Sequence, residues 1–461
     1  MPKLSRITLP DIAAPTFEPA VPLSEYIARI AAVVERMAVE NIDYLFVYGD
    51  REHAANLCYL TGFDPRFEEG ALLLSHDGRS KLLVGNECLG YLPDEALGIE
   101  VELFQEFSLL GQPRDSARSL RAILTDFGIG AGATVGCVGW KYYEGDAVEG
   151  GSTALEIPAY IVDLLRDLTG GVKNVVNVTP WFMNPRDGLR ITNTAAQIAR
   201  FEFAATHASQ STLTMLRHIE VGKRERDLAQ YLDSAGITLS CHTMISFGEK
   251  AKRGLSSPSD NRAALGDIYT MALGVQGSLV SRAGAVAHTA QDLPEEIRDF
   301  YQRFLANYFD VVATWYRSIK VGAIAGDVVN AVEAKRDSTL YKFALNPGHY
   351  IHLDEWVHSP FTAGSDVELR SGMALQMDII PISQGPFCYA NMEDGVVLAD
   401  AELRADLAAA YPEMWARIEQ RRSFMRDVIG IAIDDSVLPL CNTAGWYAPY
   451  ILDIEQALVN V

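Results

Sequence analysis

Gly372-Met373-Ala374-Leu375-Gln376-Met377-Asp378, followed downstream by Asn391-Met392-Glu393-Asp394-Gly395, decides how this chain is read. Both are apolar runs that carry acids. Alternate residues of a strand share a face. Met373, Leu375, Met377 and Ile379 therefore fall on one side, and Ala374, Gln376 and Asp378 on the other. A carboxylate in such a run is costly to bury unless something compensates its charge. Upstream stands Asn346-Pro347-Gly348-His349-Tyr350-Ile351-His352-Leu353-Asp354-Glu355-Trp356, with His358 just beyond it. Imidazole nitrogens and carboxylate oxygens brought together from separate segments are the donors of a metal site or of a proton-transfer site.

The chain around these segments has 461 residues, enough for two or three domains with sizeable cores. Its hydrophobic fraction of 49% and charged fraction of 21% are those of a globular protein rather than a disordered or membrane-spanning one. A net charge of -21 repels phosphate backbones, which argues against nucleic acid as a partner. No apolar run reaches the ~20 residues that span a bilayer, so no membrane partner is expected. The N-terminus shows no basic segment leading into an apolar one, so no secretory signal is read. Cys58, Cys88, Cys137, Cys241, Cys388 and Cys441 lie far apart with no C-x-x-C pair. They read as reduced thiols of a cytoplasmic protein.

Periodicity divides the chain in two. Residues 1–21 are rich in proline and read as an arm that wraps a surface. Ser24 is placed to cap a helix whose apolar positions are Ile27, Ile30, Val34 and Met37. Strands are expected at 42–48, 70–75, 80–84 and 134–138, with a helix at 118–127. His76-Asp77-Gly78-Arg79 makes a hairpin turn between two of these strands. The turn-rich stretch 180–193 is the linker, and the domains are placed at 1–187 and 188–461. Beyond it, helices are expected at 194–218 and 224–234, and a helical region at 294–335. Strands are expected at 237–247, 268–273, 373–380 and 395–398. A last helix runs from Pro412 to Val428 and stops at Gly430. The tail 437–461 is too apolar and aromatic to stay in water.

These motifs, in this order, resemble the creatinase, prolidase and Xaa-Pro aminopeptidase family. Asn56-Leu57-Cys58-Tyr59-Leu60-Thr61-Gly62-Phe63 is similar to an N-x-x-Y-L-T-G-F motif of the N-terminal domain. Gly266–Gly274 resembles a G-D-x-x-x-x-D-x-G strand, Gly348-His349 the ligand histidine, Gly372–Asp378 a G-M-x-x-x-x-E segment, and Glu393-Asp394 the final E-D. The resemblance implies an α/β (α+β) fold: a creatinase-type N-terminal α/β domain followed by a pita-bread catalytic domain. It also implies a homodimer. Through the loop Phe63–Glu69, Arg66 and Phe67 would then reach a neighbouring site as substrate-binding groups.

The chain departs from the family pattern where the metals belong. Ala272 stands at the first upstream aspartate. Leu279 stands at the second through a shortened turn, or Ala283 without it. Leu255 stands where a substrate-contacting histidine is usual. A two-metal site needs several carboxylates to balance its charge, and alanine and leucine supply none. The leading expectation is therefore a metal-independent, creatinase-like hydrolase of a C–N bond in a small nitrogenous substrate. In it Glu393 and Asp378 hold a cationic group and His349 or His242 moves the proton, with His352 and His358 as further substrate contacts. No cofactor is expected, although His349, His352, His358, Asp378 and Glu393 leave room for a single divalent ion. An Xaa-Pro aminopeptidase-type metallopeptidase with an atypical ligand set and a non-catalytic small-molecule binder are the alternatives.

Overall fold

The computed structural model describes every residue except Met1, Ala117 and Val461. Its contacts form two compact units, Val21–Arg190 and Met1–Ala20 with Ile191–Val461. The proline-rich arm, counted with the first domain on sequence grounds, is thus grouped with the second unit. Lys3–Arg6 pairs antiparallel with Gln456–Val459 near the other end of the chain.

The first unit is built on a six-stranded sheet. Its strands are β1 (Tyr44–Gly49), β2 (Gly70–Ser75), β3 (Ser80–Val84), β4 (Glu100–Leu103), β5 (Val135–Val138) and β6 (Val175–Asn177), in the order β4-β3-β2-β1-β5-β6. Leu45, Phe46, Leu72, Leu73, Leu82 and Leu83 are fully buried, which is why these runs read as continuous apolar segments. Helix Leu120–Phe127 packs Ile123 and Leu124 on the sheet beside Ile161 and Leu165 of helix Ala159–Thr169. The Ser119 side chain accepts from the Ala122 amide and caps the first of these helices. Helix Leu23–Glu40 starts at Pro22 with no side-chain cap, so Ser24 does not take that role. It buries Val33 and Met37, and Ile27 is left exposed. The Asn56–Phe63 motif forms a buried helix, Ala55–Thr61, that ends on Gly62 in the left-handed region.

The second unit is built on a seven-stranded antiparallel sheet. It contains β7 (Met244–Phe247), β8 (Ile268–Val275), β9 (Ser278–Ala285), β10 (His349–Tyr350), β11 (Ala374–Asp378), β12 (Asn391–Leu398) and β13 (Val437–Pro439). The path is β10-β11-β12-β9-β8-β7, with β13 on β12. Helices Ala195–Arg217, Arg298–Ser318 and Ala325–Lys335 belong to this unit. The last two make up the helical region expected at 294–335. The chain breaks them apart at Gly322, whose φ of 84° a helix interior does not accept. The expected strand 237–247 forms only at its end, because Ser240 to Thr243 lie outside any strand. The tail behaves as its composition requires: Leu438, Leu440, Trp446, Tyr447 and Tyr450 are buried. A buried network joins the long helix to the terminal one, with Arg417 and Arg421 both donating to the Glu202 carboxylate. All six cysteines are free thiols. No helix of the described residues is long and apolar enough to cross a membrane.

Candidate active site

One row of residues crosses the second sheet in register. Met244 of β7 faces Ala272 of β8, which faces Ser281 of β9, which faces Glu393 of β12, which faces Asp378 of β11. All five line a single cavity of about 560 Å³. In the next row Gln376 pairs with His349. Strand alternation thus places Asp378 and Gln376 together, as the sequence pattern requires.

His349 is fully buried at the start of β10. The residue before it, Gly348, has φ of 108°, and a Cβ there would stand 2.8 Å from the Gln376 carbonyl oxygen. Only glycine lets the chain turn this closely. The imidazole stacks on Trp356 at 4.1 Å. Its Nδ1 lies 3.1 Å from the Tyr350 carbonyl, which can only accept, so Nδ1 carries the hydrogen. Nε2 then faces the carboxylates: Glu355 Oε1 at 3.3 Å, Glu393 Oε1 at 3.5 Å and Asp378 Oδ2 at 4.0 Å. Nε2 and Asp378 Oδ1 are buried and make no hydrogen bond.

Burial disfavours negative charge on both acids that face the imidazole. Burial, together with the Glu393 charge, holds the Asp378 carboxyl well above the usual carboxylate range. Burial and the nearby Glu355 charge do the same to Glu393, against a hydrogen bond from Gln376. That Gln376 amide donates to Glu393 Oε1 at 3.2 Å and to the Leu279 carbonyl at 2.7 Å. Asp394 points to the other face of β12. It is held by Arg282 at 2.7 Å and by the Thr443 hydroxyl at 2.6 Å, so it braces the strand and does not enter the cavity. The Tyr308 hydroxyl donates to the Ile379 carbonyl at 3.0 Å and accepts from the Met392 amide at 2.8 Å. It thereby joins β11 and β12 beside the two acids.

The ligand atoms of His349, Asp378 and Glu393 lie within 4.8 Å of one another. One nitrogen with carboxylate oxygens suits a single first-row divalent ion. The unbonded Nε2 and Oδ1 are the atoms such an ion would engage, so the residues fit one ion. They do not fit two. Ala272 and Leu279 form an apolar cluster with Met244 at the side of the cavity where further ligands would have to stand. Leu279 lines the cavity and Ala283 does not, which favours the shortened turn; β8 and β9 are joined by Gln276-Gly277 alone.

Other expected residues lie elsewhere. His242 is exposed, with Nε2 2.8 Å from the Leu255 carbonyl, in a shallow depression with Arg226 and Pro258. The strand expected to carry it starts only at Met244, so the alternation does not extend back to it. His352 is buried with its ring against Phe201 at 5.2 Å, away from the cavity. His358 is half-buried outside the cavity, its Nδ1 3.2 Å from the Ser359 carbonyl. Leu255 lines the cavity wall, where the sequence places it. Arg66 and Phe67 are exposed on the first unit, and the Asp64 carboxylate accepts from the Arg66 amide. Glu355 is a site residue that sequence reasoning misses. Its loop is closed by hydrogen bonds between Tyr350, Val357 and His358, which fold Glu355 and Trp356 back onto His349. An acid six residues after the histidine is the only sequence signal, and in an irregular loop no periodicity gives its direction.

Residues 29–150 match the Creatinase/Prolidase N-terminal domain family model. The chain is similar in structure to the prolidase from Pyrococcus horikoshii OT3, with a TM-score of 0.61 and 18% identity over 81% of this chain and 95% of that one. Against dipeptidase PepE from Mycobacterium ulcerans the TM-score is 0.61 and the identity 18%, over 82% and 94% of the two chains. Against the Xaa-Pro dipeptidase from Bacillus anthracis they are 0.58 and 16%, over 83% and 96%. No curated protein sequence matches the chain at a significant level. The molecule therefore has a creatinase-type N-terminal domain followed by a pita-bread domain. That is the two-domain fold of the prolidases.

Proposed function

We propose that this protein is a hydrolase of an amide C–N bond in a small substrate, of the Xaa-Pro peptidase type. Its atypical ligand set would hold one divalent ion. The observation that carries the proposal is His349 Nε2, buried without a hydrogen bond and facing the carboxyl groups of Glu355, Glu393 and Asp378. One imidazole nitrogen with converging carboxyl oxygens is a donor set that suits a single first-row divalent ion. The metal-free expectation is set aside on this ground, and the peptidase alternative takes its place. The prolidase and Xaa-Pro dipeptidase structures that share the fold favour the same choice.

His349, Asp378 and Glu393 would hold the ion, which when bound supplies Lewis-acid polarisation of the substrate carbonyl. Gln376 fixes the rotamer of Glu393 through its amide. Trp356 and the Tyr350 carbonyl fix the imidazole plane and its tautomer. Glu355 is half-buried at the cavity, and its carboxylate is placed to take up a proton and hand it to the departing nitrogen. The test is hydrolysis of a panel of Xaa-Pro dipeptides after chelation and after return of Mn²⁺ or Zn²⁺. Turnover that needs the returned ion supports the proposal. Turnover indifferent to chelation supports the creatinase-like alternative, with His349 as the proton carrier. A homodimer is part of the same proposal: Phe67 leaves its ring 46% exposed beside Arg66. Light scattering at micromolar concentration should show twice the chain mass, and a monomer contradicts it.

A further inference from the structure

The cavity has two chemically distinct halves. One end of the cross-sheet row is acidic, with Glu393, Asp378 and Glu355. The other is apolar, with Met244, Ala272 and Leu279, which form a cluster of their own with Cys241 packed against it. Ser281 stands at the border, and its hydroxyl is already committed to the Met271 carbonyl at 2.9 Å. Lys252 and Arg253 also line the cavity, while the three side chains of the cluster itself are apolar. Ala272 lies two strands from Glu393 in register, which at ~4.8 Å per strand is roughly 10 Å. An apolar group seated against the cluster would be sheltered at the usual gain per methylene.

We infer that this apolar half is a subsite for an aliphatic or aromatic group carried by the substrate. That the group belongs to a substrate rests on the hydrolase reading above; the subsite itself rests on the register and on the cluster. Substrates that end in a small or charged group would leave the subsite empty or desolvate a charge in it. Amides with a butyl-sized or larger apolar group would fill it. The cavity volume of about 560 Å³ is that of a small-molecule site.

Two homologous probe series test the subsite by calorimetry. The first is n-alkylammonium ions from ethyl to hexyl on chelator-treated protein, with the ammonium at the acids. The second is n-alkyl hydroxamates from acetyl to heptanoyl on Mn²⁺-treated protein. Affinity should rise with chain length, by up to about fourfold per methylene at full burial. Ala272→Leu, which fills the subsite, should remove the rise. Leu279→Ala, a milder change, should reduce it. A flat dependence on chain length in both series overturns the inference. So does a rise that both variants leave intact. A rise in the ammonium series alone, in a protein that holds no ion, supports the subsite while the ion-dependent reading fails, so the two are separable.

Discussion

Asp378 and Glu393 are directly opposed across β11 and β12, two carboxylates as cross-strand neighbours in a buried sheet. Like charges in this relation are destabilising by up to about 1 kcal/mol even where solvent helps, and here it does not. Such a pair persists where its negative charge is used. Glu393→Gln keeps the size and removes the charge. We expect the ion-free variant to be more stable than the parent by about 1 kcal/mol. Ion affinity should fall by at least tenfold, about 1.4 kcal/mol, within the usual worth of a charged hydrogen bond. Urea denaturation and calorimetry measure the two. Unchanged ion affinity would make Glu393 structural.

The same pair sets a pH dependence whose sign follows from the raised carboxyls of Asp378 and Glu393. In the unfolded chain these groups release their protons near the ordinary value of about 4. Above that pH the folded state retains protons that the unfolded state has lost. Stability of the ion-free protein therefore falls as pH rises from the ordinary carboxylate range toward the raised native values, and beyond those values the penalty is complete. A bound ion replaces the protons and removes the penalty. Melting temperatures from pH 5 to 8 should fall in chelator, fall less for Glu393→Gln, and hold level with the ion present. A Glu393→Gln curve parallel to the parent in chelator would contradict this.

Tyr308, on helix Arg298–Ser318, bridges Ile379 and Met392 where the pairing of β11 and β12 ends. Its hydroxyl serves as the rung that keeps Asp378 and Glu393 level. Tyr308→Phe retains the packed ring but leaves a buried amide and a buried carbonyl short of a partner. That costs about 2 kcal/mol of stability. If the hydroxyl also positions the acids, ion affinity drops severalfold and turnover with saturating substrate drops more than KM changes. Lost stability with intact ion affinity would confine Tyr308 to the core.

Much of this architecture is legible in the sequence, for identifiable reasons. The helix Ala195–Arg217 and the strands β2, β3 and β8 are long or strongly apolar, and flanking turns fix their ends. Alternation within Ala374–Asp378 is enough to assign the face of Asp378, because strand period is a local property of the chain. The motif Gly348-His349 marks the buried imidazole. Glu355 is not legible, since its direction depends on a loop closed by Tyr350 and His358. The exclusion of His242 is not legible either. It depends on where β7 begins, and strand ends are set by pairing with β8 rather than by the residues themselves. The metal-free expectation comes chiefly from Ala272 and Leu279. They remove a second ion. They leave in place the three donors proposed for one ion, which come from β10, β11 and β12.

In the proposed function, His349, Asp378 and Glu393 hold one divalent ion. Chelator-treated protein titrated with Mn²⁺ or Zn²⁺ by calorimetry, with elemental analysis after dialysis, tests it directly. One equivalent per chain, lost in both Glu393→Gln and His349→Ala, is the predicted result. No bound ion, or two equivalents per chain, would contradict it.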